Sequence, residues 1–220
     1  MQNLPRIFID QPLETGKQIP ISKDQLHYLA KVMRMDKCLV FNNGKEFQAE
    51  LVSGSRLSIL GLTEHKEPSN NLTFAFAPIK QSRMEEMLNA ATQMGVARLQ
   101  PVITERTIER FPKWERIKKI IIEASEQSGR NSVPELLPPI KFSDLEKSGL
   151  VFADERFVHN SGYKSPTINK PSTVFVGPEG GFSDKEFAEL DKSSAVGISL
   201  GKTILRAEVA TIAILAKIIN

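Results

Sequence analysis

Val176-Gly177-Pro178-Glu179-Gly180-Gly181-Phe182-Ser183 and Leu200-Gly201-Lys202-Thr203-Ile204-Leu205-Arg206-Ala207-Glu208 are the two stretches that decide the fold of this chain. Each follows an apolar, strand-like run, at residues 173–176 and 196–200, and each precedes a helical pattern. Two glycine-bearing loops therefore fall at strand C-termini, where open α/β sheets bind ligands. Gly177, Gly180 and Gly181 allow a sharp turn and a close backbone approach to a ligand. Taken alone, such a cluster is more often only a tight turn. Ser183 and Glu186 have capping-box spacing and Asp184 suits the positive end of a helix dipole, so a helix starts here. Neither loop has the phosphate-loop or the dinucleotide glycine spacing, which argues against both kinds of nucleotide site.

Working outward, strands and helices alternate from residue 72 onward. Residues 72–77, 96–104 and 150–153 read as further strands. A helix is predicted over 80–94, with Met84, Met87, Leu88, Ala91 and Met94 on its core face and Gly95 closing it. Pro112 opens another, whose buried face carries Trp114, Ile117, Ile121 and Ala124. The final helix, 206–219, is apolar nearly all round and needs cover on most sides, from its own domain or from a second subunit. Before residue 63 the pattern is different. Short strands at 6–9, 38–42, 46–52 and 56–62, turns at 42–44 and 53–55, and one helix at 24–35 suggest a small barrel. Polar residues 63–71 read as a linker between domains 1–70 and 71–220.

The composition is that of an ordinary globular protein, and no run is long enough to span a membrane. The first residues lack the basic and apolar regions of a signal peptide, and the lone Cys38 sits in an apolar run, so a reducing cytoplasm and a buried, unreactive thiol are expected. His27, His65 and His159 are scattered without a second ligand at metal spacing, so no metal site is expected. The net charge of +3 is too small to imply a polyanionic partner, but the basic residues concentrated before residue 131 are compatible with a phosphate-contacting face.

The two loops, together with Pro5-Arg6-Ile7-Phe8, His27-Tyr28-Leu29, Val32-Met33-Arg34-Met35, Lys80, Arg83, Gly95-Val96, Glu105-Arg106 and Glu123-Ala124-Ser125-Glu126-Gln127-Ser128-Gly129-Arg130, closely resemble the bacterial 16S ribosomal RNA (uracil N3) methyltransferase family. The likeness runs through nearly the whole chain in order. Its clearest departure is Val209, where the family usually carries Thr. The resemblance implies an α/β chain with an N-terminal PUA-like β-barrel for RNA and a C-terminal SPOUT-class domain. In that class the chain forms a trefoil knot at the S-adenosylmethionine site, and the domain forms a homodimer. The implied substrate is 16S rRNA of the small ribosomal subunit.

The resemblance also implies roles for individual residues. Backbone groups of Val176, Gly177, Gly180, Gly181, Ile198, Leu200, Gly201, Ile204 and Leu205 would cradle the donor. Arg6, Arg34, Lys80, Arg83, Arg106 and Arg130 are the RNA-contacting candidates. Methyl transfer to a uracil ring nitrogen is an in-line displacement that needs no metal, but the protonated nitrogen must lose its proton. Arg206 is the candidate to stabilise charge on the uracil oxygens, and Glu179, Glu126 or Glu208 to accept the proton. A transfer RNA methyltransferase of the same class and a non-catalytic ribosome-binding module remain as alternatives.

Overall fold

Alternation of buried and exposed residues along 37–62 builds the first sheet, as the computed structural model shows. The structure describes residues 4–68, 71–108, 113–158, 166 and 170–219. The chain divides into two units: Met1–Ser69 with Ile122–Val133, and Asn70–Ile121 with Pro134–Asn220.

In the first unit, strands β1 (Arg6–Phe8), β2 (Gln18–Pro20), β3 (Lys37–Asn42), β4 (Lys45–Val52) and β5 (Arg56–Leu62) form one sheet in the order β1-β3-β4-β5-β2. The β1–β3 pair is parallel and the others are antiparallel. The β3–β4 hairpin turns through Asn43 (φ 50°) and Gly44 (φ 74°), the left-handed pair that a two-residue hairpin requires. Ile7, Leu29, Val40, Leu57 and Ile59 fill the core, and Cys38 lies among them with its thiol pushed up to about 12 by burial, as an inert small hydrophobe. The short strand β2 escaped the sequence reading. The single helix expected at 24–35 is instead helix α1 (Lys23–His27), held by a Ser22–Gln25 capping box, followed by a π-helical turn, Tyr28–Met33, that ends at Arg34 in the left-handed conformation (φ 53°).

Residues 122–133, read from the sequence as part of the second domain, group with the first unit. Glu126 Oε1 accepts from the Phe8 N–H at 2.9 Å and the Asn131 carbonyl accepts from Gly44 N at 2.9 Å. The expected linker is also partly tied down, because Glu67 accepts from Arg130 Nε (2.8 Å), Asn131 N (3.0 Å) and Ser132 Oγ (2.7 Å).

The second unit is a parallel sheet. Its strands are β6 (Thr73–Phe76), β7 (Arg98–Ile103), β8 (Glu135–Leu136), β9 (Ile140–Lys141), β10 (Leu150–Ala153), β11 (Thr173–Val176) and β12 (Val196–Ile198). The order is β12-β10-β11-β6-β7-β8, with β9 also on β7. β6 is buried at every position, as expected for a strand covered on both faces. The helices are α2 (Gln81–Gln93), α3 (Trp114–Gln127), α4 (Asp184–Lys192) and α5 (Ala207–Ile219), of which α3 continues into the 122–133 segment. Met84, Met87, Leu88 and Ala91 are buried on α2, and Ile117, Ile121 and Ala124 on α3, as the spacing predicts; Pro112 lies outside the described residues. Helix α5 packs on α2 and β11 through Ala207, Ala210, Thr211, Ile214 and Leu215, leaving Val209, Ile212 and Ile219 exposed within the chain. Among the described residues no helix is long and apolar enough to cross a membrane.

Candidate functional site

Strand order brings the site together. β12, β10 and β11 are hydrogen-bonded neighbours running the same way, so the segments after all three emerge side by side at one edge of the sheet. They enclose a cavity of about 420 Å³, completed by Arg83 from α2 and by Ala207 and Ala210 from the first turn of α5. Most of its wall is apolar, with a few polar groups at defined places, which is the usual make-up of a small-molecule site.

The first glycine loop, 177–183, is packed from below and tied at its rim. The Gly181 N–H donates to the Pro178 carbonyl at 2.9 Å and closes the turn. A Cβ on Gly177 would stand 2.8 Å from the ring of Phe182, which is boxed in by Phe142, Phe152, Phe175 and Phe187. Gly181 has φ 68°, and a Cβ there would collide with the Glu155 carboxylate. Gly180 is less constrained; its would-be Cβ only touches Arg106 at 3.5 Å. Glu179 is ion-paired with Arg83, and Arg106 Nη1 donates to the Gly180 carbonyl at 2.9 Å. The expected capping box is formed: Ser183 Oγ accepts from Glu186 N (3.3 Å) and Glu186 Oε2 accepts from Ser183 N (2.8 Å). Glu186 has a second task, since its Oε1 accepts from Glu105 N at 2.8 Å and so fixes the segment after β7 to the loop.

The segment after β10 is the part that sequence reasoning missed. Asp154, buried at the strand end, accepts from Arg156 N (3.0 Å) and Nη2 (2.7 Å), and Arg156 also donates to Asp191 at 2.8 and 2.9 Å while lying over Phe187. These carboxylates raise the pKa of the Arg156 guanidinium, and the same hydrogen bonds hold the Asp191 carboxyl below the usual range. Between them Glu155 faces the cavity. Desolvation and then the charge of Asp154 push its carboxyl up, with Arg106 and Arg156 acting the other way. The Asp154-Glu155-Arg156 run directly after the apolar strand 150–153 was the available signal.

Of the expected donor-binding residues, Val176, Gly177, Gly180, Gly181, Leu200, Ile204 and Leu205 line the cavity. Ile198 does not, being buried within β12, and Gly201 stands just outside with φ 147°. Arg206 and Glu179 both line it, and Arg206 is exposed with no side-chain partner among the described residues. Glu126 does not line it: in the first unit it takes the Phe8 N–H, and burial pushes its carboxyl up. Glu208, on the first turn of α5, has one carboxylate oxygen buried with no hydrogen-bond partner among the described residues. The RNA candidates divide sharply. Arg6 and Arg130 are internal. Arg6 pairs with Glu46, donates to the Arg130 carbonyl and to Asn131 Oδ1 (3.0 Å) and lies over Phe41; Arg130 is 6% exposed on Glu67. Both were expected at an RNA surface because a sequence does not reveal which cations are consumed by internal carboxylates, here the buried Glu46 and the half-buried Glu67. Arg34, Lys80 and Arg106 are exposed and Arg83 is half-buried. No group of three or more His, Cys, Asp and Glu among the described residues could hold a metal; His159 lies outside them.

Residues 65–219 match the model of the RNA methyltransferase domain, and residues 21–62 that of the RNA methyltransferase PUA domain. A Rickettsia conorii protein named Ribosomal RNA small subunit methyltransferase E is 33% identical, with 97% of this chain and 94% of that protein aligned. The chain belongs to the ribosomal RNA small subunit methyltransferase E family. A Synechocystis member of this family is 30% identical over 91% of the chain and 72% of its own length. The crystal structure of a Neisseria gonorrhoeae member bound to S-adenosyl methionine superposes with a TM-score of 0.81 at 29% identity, covering 98% of this chain and 96% of that one. A putative methyltransferase from Legionella pneumophila, also solved with bound SAM, gives a TM-score of 0.78 at 27% identity, covering 98% and 97%.

Proposed function

We propose that this protein transfers the methyl group of S-adenosylmethionine to N3 of a specific uridine in 16S rRNA of the small ribosomal subunit. The observation that carries the reading is the cavity at the ends of β10, β11 and β12, in a chain that superposes over 98% of its length on a relative solved with that donor. The donor supplies a methyl carbon already activated by its sulfonium. The chain supplies position and charge. The fixed first loop holds one side of the donor through backbone groups, and Leu200, Ile204 and Leu205 hold the other. Arg206 has a guanidinium free to stabilise negative charge developing on the uracil oxygens. For the N3 proton, Glu208 with its unpartnered oxygen and Glu179 are the acceptors near that guanidinium in sequence or at the same cavity; Glu126 is not one of them.

The exposed Arg34 with Tyr28 and Val32, on the π-helical turn of the first unit, supports RNA contact there, and Lys80, Arg83 and Arg106 support contact in the second unit. The exposed Val209, Ile212 and Ile219 of α5 support a homodimer. Methyl transfer to naked rRNA, isolated small subunits, assembled ribosomes and transfer RNA, offered in parallel, tests the reading. The expected product is N3-methyluridine in small-subunit RNA. Methylation of transfer RNA instead would move the substrate, and absence of donor binding would leave only a ribosome-binding module.

A further inference from the structure

The charged side chains around the cavity are not equally neutralised. Glu179 is paired with Arg83, and Asp154 is held by Arg156. Glu155 is an exposed lining carboxylate with no hydrogen-bonded cation among the described residues. Its nearest cations are engaged elsewhere, Arg106 on the Gly180 carbonyl and Arg156 on Asp154 and Asp191. Its position is nevertheless fixed. Asp154 caps the short 3-10 turn that carries it, through the Arg156 N–H at 3.0 Å, and its carboxylate stands against Gly181, leaving no room for a side chain there.

We infer that Glu155 is a specificity-determining residue that favours the charged methyl donor over the neutral thioether left after transfer. The inference rests on the reading of the cavity as the donor site. S-adenosylmethionine and S-adenosylhomocysteine are nearly the same in shape, so packing and hydrogen bonds to adenine and ribose hold both alike. They differ by one methyl group and one positive charge. A fixed carboxylate beside apolar walls distinguishes them by Coulomb attraction, which is stronger there than in bulk water and acts without direct contact. Arg206, a lining cation with no side-chain partner among the described residues, acts in the opposite sense; it and Glu155 are both exposed to solvent, but the Glu155 carboxylate is fixed against Gly181 of the first loop, whereas Arg206 follows the open second loop. Methyl transfer removes the sulfonium charge, so the same carboxylate ceases to hold the product, and release is favoured without any rearrangement of the site.

The test is calorimetry on the full chain at low salt, with S-adenosylmethionine and S-adenosylhomocysteine titrated separately into the wild type and Glu155→Gln. The variant should bind the donor about tenfold more weakly and the thioether within about twofold of wild type. A second readout needs no variant. Burial raises the Glu155 pKa, so in the wild type the preference for the donor should fall as the pH drops and the carboxylate is protonated; in Glu155→Gln it should be flat. The groups facing Glu155 are Asp154 and Arg156 beside it, Arg106 after β7, Glu179 and Arg83 across the first loop, and Arg206 on the second. The ligands' shared amino group cancels in the ratio. Equal weakening of both ligands, no weakening of either, or a wild-type preference independent of pH would each overturn the inference. A wild type that binds neither ligand would overturn the functional reading itself, and the inference with it.

Discussion

The two glycine loops face the same cavity but are built in opposite ways. The first is a fixed wall: Gly177 rests on Phe182 inside an aromatic box, Arg83 and Arg106 grip its rim, and the Ser183–Glu186 box pins its end. The second is lightly held. A Cβ on Gly201 would meet nothing within 4 Å, Lys202, Thr203 and Ile204 are exposed, and the loop is tethered by Ser199 Oγ donating to the Gly201 carbonyl at 3.1 Å. Gly177 thus serves close contact in the first loop, and Gly201 backbone conformation in the second. In the proposed reading the rigid wall would set where the donor lies, while the open one would leave Arg206 to meet an acceptor base.

The comparison breaks most decisively at Gly177. Gly177→Val must move Phe182 within a filled core, so donor affinity should fall about a thousandfold or more, with a loss of stability of about 3 kcal/mol. Calorimetry and thermal unfolding check both. Arg206→Ala comes next. It should lower the single-turnover rate on saturating RNA by roughly a hundredfold with donor affinity nearly unchanged. A loss seen mainly in RNA affinity would make Arg206 a positioning residue. Arg206→Lys should recover little if a planar two-pronged contact is needed. Gly201→Ala is milder. Its only cost is the φ of 147°, about 1 kcal/mol, and a drop in donor affinity matching that of Gly177→Val would erase the distinction between the loops.

The fixed loop was the more legible of the two in sequence, because its signals are local: glycine spacing, a capping box, an apolar run before and a helical pattern after. The strands and helix faces of the second unit were legible for the same reason. Partners distant in the chain were not. That Glu155 backs Gly181 depends on β10 lying beside β11, and that Glu186 reaches the Glu105 N–H depends on the path from β7. The identity of free and consumed arginines was equally hidden: Arg6 and Arg206 look alike in sequence, and what separates them is the buried Glu46, the Arg130 carbonyl and Asn131 around Arg6. The return of 122–133 to the first unit follows from Glu67, Glu126 and Asn131 finding partners more than 60 positions away along the chain. Strand periodicity also cannot state how a chain threads itself, so the knot came from resemblance alone.

Glu126 supplies the smallest effect and a control outside both loops. Its carboxyl is pushed up first by burial and then by Glu123, with the Phe8 N–H and Arg6 opposing. A carboxyl whose folded pKa lies above its unfolded value contributes stability at acid pH, and that contribution is lost as the pH rises through the folded pKa. Glu126→Gln fixes the neutral form while keeping an oxygen to accept the Phe8 N–H. The variant should therefore match the wild type below the ordinary glutamate pKa of about 4.3 and exceed it at neutral pH by less than about 1 kcal/mol, because the two opposing contacts offset much of the burial cost. Unfolding midpoints measured from acid to neutral pH give the sign directly. Methyl transfer by the variant should stay within about twofold of wild type, since a residue committed to the first unit's backbone has no part in the transfer step. A hundredfold loss with stability intact would return Glu126 to the list of proton acceptors and make the division between structural and reacting charges untenable.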